Sequence, residues 1–296
     1  MSSVTVIQYT QEVINSLQKQ GRTALAHNYN AFAKKFRSFN EGKDTKLSDV
    51  TADVVCRFAD HLIYIDKVTK NTQSFYCRIF KAIYNRAVNA EITKDKKPFR
   101  KVFTGNEKTV HRALSDVDLR RFYQYLPKDK DERTAKDMFM LSFFLRGISP
   151  IDLFSLTREN VRGNAIEYRR SKTGQLLTIG KTKEITDILD KYGKDDEDIL
   201  LYKAIRSGIK TTQTYINRHL RHIGEKLEFP IPLTMYVARH TWASVARDMD
   251  IEVPIISQGL GHDNIVTTQI YLSSISTNRI NKANERIIDF ITNSNL

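Results

Sequence analysis

The sequence predicts a mainly α, two-domain protein: a helical bundle joined to a mostly helical domain that carries one small β-sheet. Three observations predict this class. The chain has 296 residues, more than one core usually takes. Hydrophobic residues make up 41% of it, with 13 Tyr and 15 Phe among them, enough apolar surface to close real cores. Only 12 Gly and 6 Pro are left for turns, which disfavours collagen-like, low-complexity and many-stranded all-β designs.

The elements follow in order. Val4, Ile7, Val13, Ile14 and Leu17 fall near helical spacing and predict a first helix, and Leu25, Tyr29, Phe32, Phe36 and Phe39 a second. Thr51 is a cap for a third helix through Val54, Val55, Phe58 and Leu62; Phe75, Ile79, Ile83 and Val88 mark a fourth. From Ile92 to Val110 the periodicity fails, and Lys94, Lys96, Lys97, Pro98, Arg100, Lys101, Gly105 and Lys108 crowd together, which reads as a basic connector. The expected division is a helical domain over 1–104, a linker over 105–111 and a second, mostly helical domain over 112–296. In the last of these, Ser115 caps a helix ending near Pro127, and a longer helix runs from about Asp131 to Arg146. Beyond Gly163 the period changes to two. Ala165 to Arg170 and Leu176 to Ile179 read as strands of a hairpin whose turn contains Thr173-Gly174, and from Thr211 the pattern is helical almost to the end.

Charge narrows the partner. The chain carries 47 Lys+Arg against 34 Asp+Glu, a net +13, which points to a polyanion, nucleic acid or an acidic membrane surface. Residues 1–104 hold 18 basic and 9 acidic residues, residues 105–296 hold 29 and 25, so the two parts are expected to do different jobs. A single lysine on a helix face is usually just solvated. As a set on so basic a domain, Lys34, Lys35, Arg37, Lys70, Arg78, Lys81, Arg86 and Lys101 become candidate phosphate contacts.

Several classes fall away. The longest apolar stretch, Met138 to Leu145, is far short of the roughly 20 residues that cross a bilayer. Cys56 and Cys77 lie in helical patterns of a chain with no signal-like start and read as reduced residues of a cytosolic protein. Gly180-Lys181-Thr182 resembles the end of a phosphate-binding loop, but Gly174 is one residue too far away and the glycine stretch is missing. The run Asp195, Asp196, Glu197, Asp198 reads as a solvated loop rather than a metal site, and His240 and His262 are too far apart in sequence to argue a ligand pair.

The informative stretch is Leu233-Thr-Met-Tyr236-Val-Ala-Arg239-His-Thr-Trp242, then Leu260-Gly-His262-Asp, then Thr267-Thr-Gln-Ile-Tyr271-Leu. It resembles the tyrosine recombinase (phage integrase) family. There a His-x-x-Arg pair opens a helix, a Leu-Gly-His box follows, and the nucleophilic tyrosine lies nine residues beyond that histidine, as Tyr271 lies beyond His262. Ile151-Asp152-Leu153 with Leu156-Thr157 is similar to the family's first arginine box, and Tyr168 to Thr173 to its lysine hairpin. The likeness spans roughly 113–290, and the basic N-terminal part fits the SAM-like, helical core-binding domain in size and character.

The resemblance implies a site-specific recombinase, an integrase or invertase. It would cut double-stranded DNA by attack of a tyrosine oxygen on a phosphodiester, leaving a 3′-phosphotyrosine and a 5′-hydroxyl. Bond energy stays in the protein link, so neither nucleotide nor metal cofactor is needed. The site must supply positive charge around the non-bridging oxygens and proton donors for the entering and leaving oxygens. Tyr271 is then the nucleophile; Arg239 the bidentate phosphate clamp; His262 a phosphate ligand or proton-transfer partner; Lys172 the acid that protonates the leaving 5′-oxygen. The resemblance also implies a homotetramer at synapsis, with both domains clamping the duplex, accessory DNA-bending proteins as candidate partners and a bacterial cytoplasmic setting. A C-terminal stripe of Ile280, Ala283, Ile287, Ile288 and Ile291 would pack on its own domain or on a neighbouring protomer. Little sequence precedes the first helix, which argues against a separate arm-site-binding domain.

Two positions depart from the family pattern. The first arginine falls on Ser149, and the histidine three before Arg239 is Tyr236. Both changes are similar to those of the integrase subgroup common in Bacteroides. One missing cation costs several kcal/mol of transition-state stabilisation unless replaced. Arg170 is the first candidate, by strand alternation with Lys172; Arg146 is the second, on the face of Ser149 if the helix continues that far. Two competing readings stand beside the leading one: a type IB topoisomerase, which shares the chemistry, and a catalytically silent recombinase-derived DNA-binding protein, which Ser149 keeps open.

Overall fold

The computed structural model describes residues 4–107, 112–262 and Asn284. The chain divides into two compact units, Met1–Thr109 and Val110–Leu296.

The first unit is a helical bundle of α1 (Val6–Lys19), α2 (Thr23–Phe39), α3 (Ala52–Tyr64) and α4 (Lys70–Asn89). Threonines start three of the four: the side chains of Thr5, Thr51 and Thr69 accept from the backbone N–H groups of Gln8, Val54 and Thr72. The apolar faces meet around Phe32, Phe36, Phe58 and Phe80, all fully buried, with ring centroids between 5.0 Å (Phe36–Phe80) and 5.9 Å (Phe58–Phe80).

The non-periodic stretch after α4 differs from the extended connector that its composition suggests. Phe99 is buried, its ring 5.3 Å from that of Phe80 and perpendicular to it. The Tyr84 hydroxyl donates to Lys94 O and accepts from Lys96 N, both at 3.0 Å. Ser74 Oγ donates to Gly105 O at 2.5 Å, and Asn71 exchanges bonds with Glu107 at 2.7 and 3.0 Å. One aromatic anchor and side-chain to main-chain bonds therefore strap residues 92–107 to α4. Hydrophobic periodicity cannot report such fastening, because none of it repeats.

The second unit contains α5 (Asp116–Gln124), α6 (Lys130–Phe144), α7 (Pro150–Leu153), β1 (Val161–Arg162), β2 (Ala165–Arg169), β3 (Leu176–Gly180), α8 (Lys183–Tyr192), α9 (Ile209–Lys226), α10 (Met235–Asp248) and α11 (Val253–Leu260). Ser115 caps α5 by accepting from Asp118 N at 3.0 Å. Helix α6, with Met138, Phe139, Met140 and Leu141 buried, is the packing centre against which α8, α9 and α10 lie. It stops at Phe144, short of Arg146, since Arg146 and Gly147 take left-handed φ of 56° and 71°.

The sheet is antiparallel in the order β1-β2-β3, with Tyr168 opposite Leu177 and Ile166 opposite Ile179. Those four side chains are buried while their neighbours along each strand are not, the period-two pattern of a half-buried hairpin. The two-residue β1 was too short to be read from alternation. No described helix is long and apolar enough to cross a membrane.

Candidate active site

Three pieces of backbone in the second unit bring the candidate residues together: α10, the turn between β2 and β3, and the C-terminal end of α11. Arg239 lies mid-helix on α10 and is only 2% exposed. Its Nη1 donates to Gly147 O at 2.8 Å and its Nη2 to Leu260 O at 2.6 Å, and Nη2 lies 3.0 Å from His262 Nε2. The loop after α6 must come this close: a Cβ on Gly147 would stand 2.6 Å from Arg239 Cα.

Arg170 follows β2 and is 7% exposed. Its guanidinium donates to Gly261 O, which also accepts from Thr173 Oγ1 at 3.3 Å. Arg239 and Arg170 thus sit on consecutive carbonyls, Leu260 O and Gly261 O. Gly261 makes this arrangement by ending α11 in the left-handed region, with φ 65°. His262 comes next, nearly buried. Its pKa is held down to about 4, by burial first and then by the charges of Arg239, Arg170 and Lys172. All three cations therefore bear on one imidazole.

Lys172 is exposed on the β2–β3 turn. The alternation expected for Arg170 and Lys172 does not hold, because the strand ends at Arg169 and the chain turns: Arg170 N donates to Gln175 O at 2.9 Å and Gly174 N to Arg170 O at 2.7 Å. The two residues are neighbours through the turn rather than along a strand. Arg146 is not on a helical face shared with Ser149, since its left-handed backbone lies beyond α6. It still contributes charge near Tyr168, a buried residue whose hydroxyl pKa is pushed up by burial, then by Asp152, against the opposing pull of Arg239, Arg170 and Arg146.

Ser149 caps α7 and donates its hydroxyl proton to Asp152 Oδ2 at 2.7 Å. Asp152, 5% exposed, also accepts from Ser171 N at 2.9 Å and from Ser171 Oγ at 2.5 Å. Neither Asp152 nor Ser171 was named as a functional residue from the sequence. Ser149 three residues ahead of an aspartate, a capping spacing, was the one available signal. Tyr236, in the first turn of α10, is 44% exposed, with its ring centroid 4.9 Å from that of His240. Tyr271 and the apolar stripe at 280–291 lie outside the described residues.

In the first unit Lys34, Arg37, Arg78, Lys81, Arg86 and Lys101 are exposed. Two of the candidate set are engaged within the unit instead: Lys35 pairs with Asp66 at 3.1 Å, and Lys70 lies 3.7 Å from Glu107 and over the Phe103 ring. Among the described residues no group of three or more His, Cys, Asp or Glu side chains is placed to hold a metal ion.

Residues 5–108 match the family described as Phage integrase SAM-like domain. The tyrosine recombinase XerA of Pyrococcus furiosus is 25% identical over 185 residues, 60% of this chain and 63% of that protein. The chain spans less than two thirds of the length of such curated relatives. Among solved structures, a lambda integrase dimer bound to a COC′ core site is similar with a TM-score of 0.73 at 15% identity, covering 90% of this chain and 95% of that one. A lambda integrase tetramer bound to a Holliday junction is similar with a TM-score of 0.68 at 17% identity, covering 88% and 78%. At such identities the structural likeness speaks for the fold. Over its first unit the chain is thus similar to the Phage integrase SAM-like domain, and at 25% identity it is similar to a named tyrosine recombinase.

Proposed function

We propose that the protein is a site-specific DNA recombinase, an integrase or invertase, that cuts and rejoins double-stranded DNA through a 3′-phosphotyrosine on Tyr271. The observation that carries this reading is the meeting at His262: Arg239 bonds its ring, and the charges of Arg239, Arg170 and Lys172 all act on it. A cluster of two anchored guanidinium groups, one ammonium and a neutral imidazole is suited to a phosphodiester whose non-bridging oxygens gain charge in the transition state. Arg239 and Arg170 hold those oxygens, with Arg170 in the part of the missing first arginine. His262 is a neutral hydrogen-bonding partner, Tyr236 adds a phenolic donor, and Lys172 protonates the leaving 5′-oxygen. The basic faces of the first unit supply sequence-independent phosphate contacts.

The relatives support the same reading: the matched archaeal protein is named a tyrosine recombinase, and the similar lambda integrase structures hold a core site or a Holliday junction. On this reading the working assembly is a homotetramer on two synapsed sites in a bacterial cell, assisted by accessory DNA-bending proteins. Ser149 and Tyr236 mark the Bacteroides-type subgroup.

The bond between Ser149 and Asp152 favours the second reading, a silent DNA-binding protein, because it occupies the position of a cationic clamp with a structural contact. One experiment separates the two. A nicked duplex library with a randomised central region is incubated with the protein in EDTA, and SDS-stable complexes are recovered and sequenced. Wild type is expected to give a covalent complex that Tyr271→Phe does not. No covalent product from wild type on DNA that it demonstrably binds would leave the silent reading standing. Supercoil relaxation without recombinant product on paired sites would favour the topoisomerase.

A further inference from the structure

We infer that Ser171 is a positioning residue for Lys172, held in place by Asp152 and, through it, by Ser149; the inference rests on Lys172 being the acid of the proposed reaction. Asp152 is 5% exposed, and its two oxygens divide the work. Oδ2 accepts from Ser149 Oγ at 2.7 Å; Oδ1 accepts from both Ser171 N at 2.9 Å and Ser171 Oγ at 2.5 Å. Two bonds from one residue to one carboxylate oxygen fix both the backbone and the side chain of Ser171. Ser171 is the residue between Arg170 and Lys172. On the other side, Arg170 is anchored separately on Gly261 O, and the turn is closed by Arg170 N to Gln175 O at 2.9 Å.

Lys172 is exposed, so packing does not direct its stem. Its direction is set by the backbone it leaves, and that backbone is tied at Ser171. Ser149, where the family resemblance puts an arginine, thus supports the turn that carries the acid. Coulombic attraction to a phosphate falls off slowly with distance, whereas proton transfer demands hydrogen-bond contact. Loosening the turn should therefore harm proton delivery and spare DNA affinity.

The test uses the duplex recovered by covalent capture, made in two forms: an ordinary phosphodiester, and one with sulfur replacing the bridging 5′-oxygen at the cleavage point. In the ordinary substrate the Tyr271 hydroxyl gives up its proton to water as its oxygen bonds to phosphorus, the bond from phosphorus to O5′ breaks, and its electron pair takes a proton from Lys172 Nζ. The sulfur leaves as a thiolate, which needs no proton, because a thiol ionises near pH 8.5. Lys172→Ala is expected to lose about 10²-fold in cleavage of the ordinary duplex and to recover on the sulfur form. Ser171→Ala is expected to lose about tenfold on the ordinary duplex, keep its DNA dissociation constant and recover on the sulfur form. Asp152→Asn, similar in shape, should behave as Ser171→Ala does. If Lys172→Ala is rescued but Ser171→Ala is slow on both substrates, or cleaves the ordinary one normally, the positioning inference is overturned alone. If Lys172→Ala is not rescued, Lys172 is not the acid, and the inference falls with that reading.

Discussion

Arg239 Nη2 lies 3.0 Å from His262 Nε2, and since a guanidinium can only donate, Nε2 must be the acceptor and the ring proton must sit on Nδ1. The neutral ring agrees with a pKa held to about 4 by burial and by Arg239, Arg170 and Lys172, against an ordinary 6.5. The sign of the linked pH effect follows. Below pH 6.5 the unfolded chain binds a proton that the folded chain refuses until about pH 4, so this residue makes stability fall as pH drops across that window. Replacing His262 with Asn should remove the component. Urea unfolding at pH 7 and pH 5 should show a smaller difference for the variant than for wild type. A His262 ring that titrates near 6.5 in the folded protein, followed by its C2 proton resonance, would contradict this.

Gly147 is the second position where the site depends on close approach. Its φ of 71° disfavours any residue with a Cβ, and an added Cβ would meet Arg239 at Cα, Cβ and Cγ, all within 3 Å. Gly147→Ala should cost about 1–2 kcal/mol for the left-handed backbone and a further 1–3 kcal/mol for overpacking. It should also push Arg239 away from Leu260 O. The expected result is a lowered Tm with cleavage reduced more than DNA binding; wild-type covalent-complex formation would show that Arg239 tolerates the shift.

How much of this was legible in the sequence depends on what kind of bond does the holding. The helices of the first unit were, because Phe32, Phe36, Phe58 and Phe80 repeat at helical spacing and Thr51 is a recognisable cap. The fastening of residues 92–107 was not, since Tyr84, Ser74 and Asn71 reach backbone atoms far along the chain, and such bonds leave no period. Arg170 illustrates a residue singled out for the wrong reason. Alternation with Lys172 brought it forward, yet it lies beside His262 because the chain turns at Arg170 and Gly261 presents its carbonyl. Asp152, read only as part of the box around Ser149, and Ser171 were given no role because their pairing, 19 residues apart, exists only once the turn after β2 reaches α7.

A buried carboxylate away from the site makes a separate prediction about acid stability. Glu132, 2% exposed on α6, accepts from Lys226, from the Tyr125 hydroxyl at 2.6 Å and from Lys128 N at 3.2 Å. Burial alone would raise its pKa, but these donors outweigh it and bring it down from 4.5 to about 2. A lowered carboxylate pKa stabilises the fold above pH 4.5, and the contribution is lost as pH falls toward 2. Lys226→Met removes the cation and leaves the carboxylate buried. The acid-unfolding midpoint, followed by far-UV circular dichroism, should move to higher pH, with a loss of about 1–3 kcal/mol at neutral pH. An unmoved midpoint would mean that the Tyr125 and Lys128 donors suffice.

The exposed cations of the first unit predict a salt signature. Arg78, Lys81 and Arg86 share one side of α4 and are all exposed, whereas Lys35 is held by Asp66 at 3.1 Å and Lys70 lies by Glu107 and Phe103. Each phosphate contact to duplex DNA adds about 0.9 to the slope of log K against log salt. Replacing Arg78, Lys81 and Arg86 together with Ala should therefore flatten the slope by up to about 2.7, with little effect on Tm, because exposed substitutions seldom matter to stability. Lys35→Ala should change the slope less and lower Tm, since the carboxylate of Asp66, its side chain 15% exposed, loses its partner. Fluorescence anisotropy on one duplex between 50 and 200 mM salt reads both quantities. If the triple variant keeps the wild-type slope, α4 does not face the phosphates, and the contacts belong to Lys34, Arg37 and Lys101 instead.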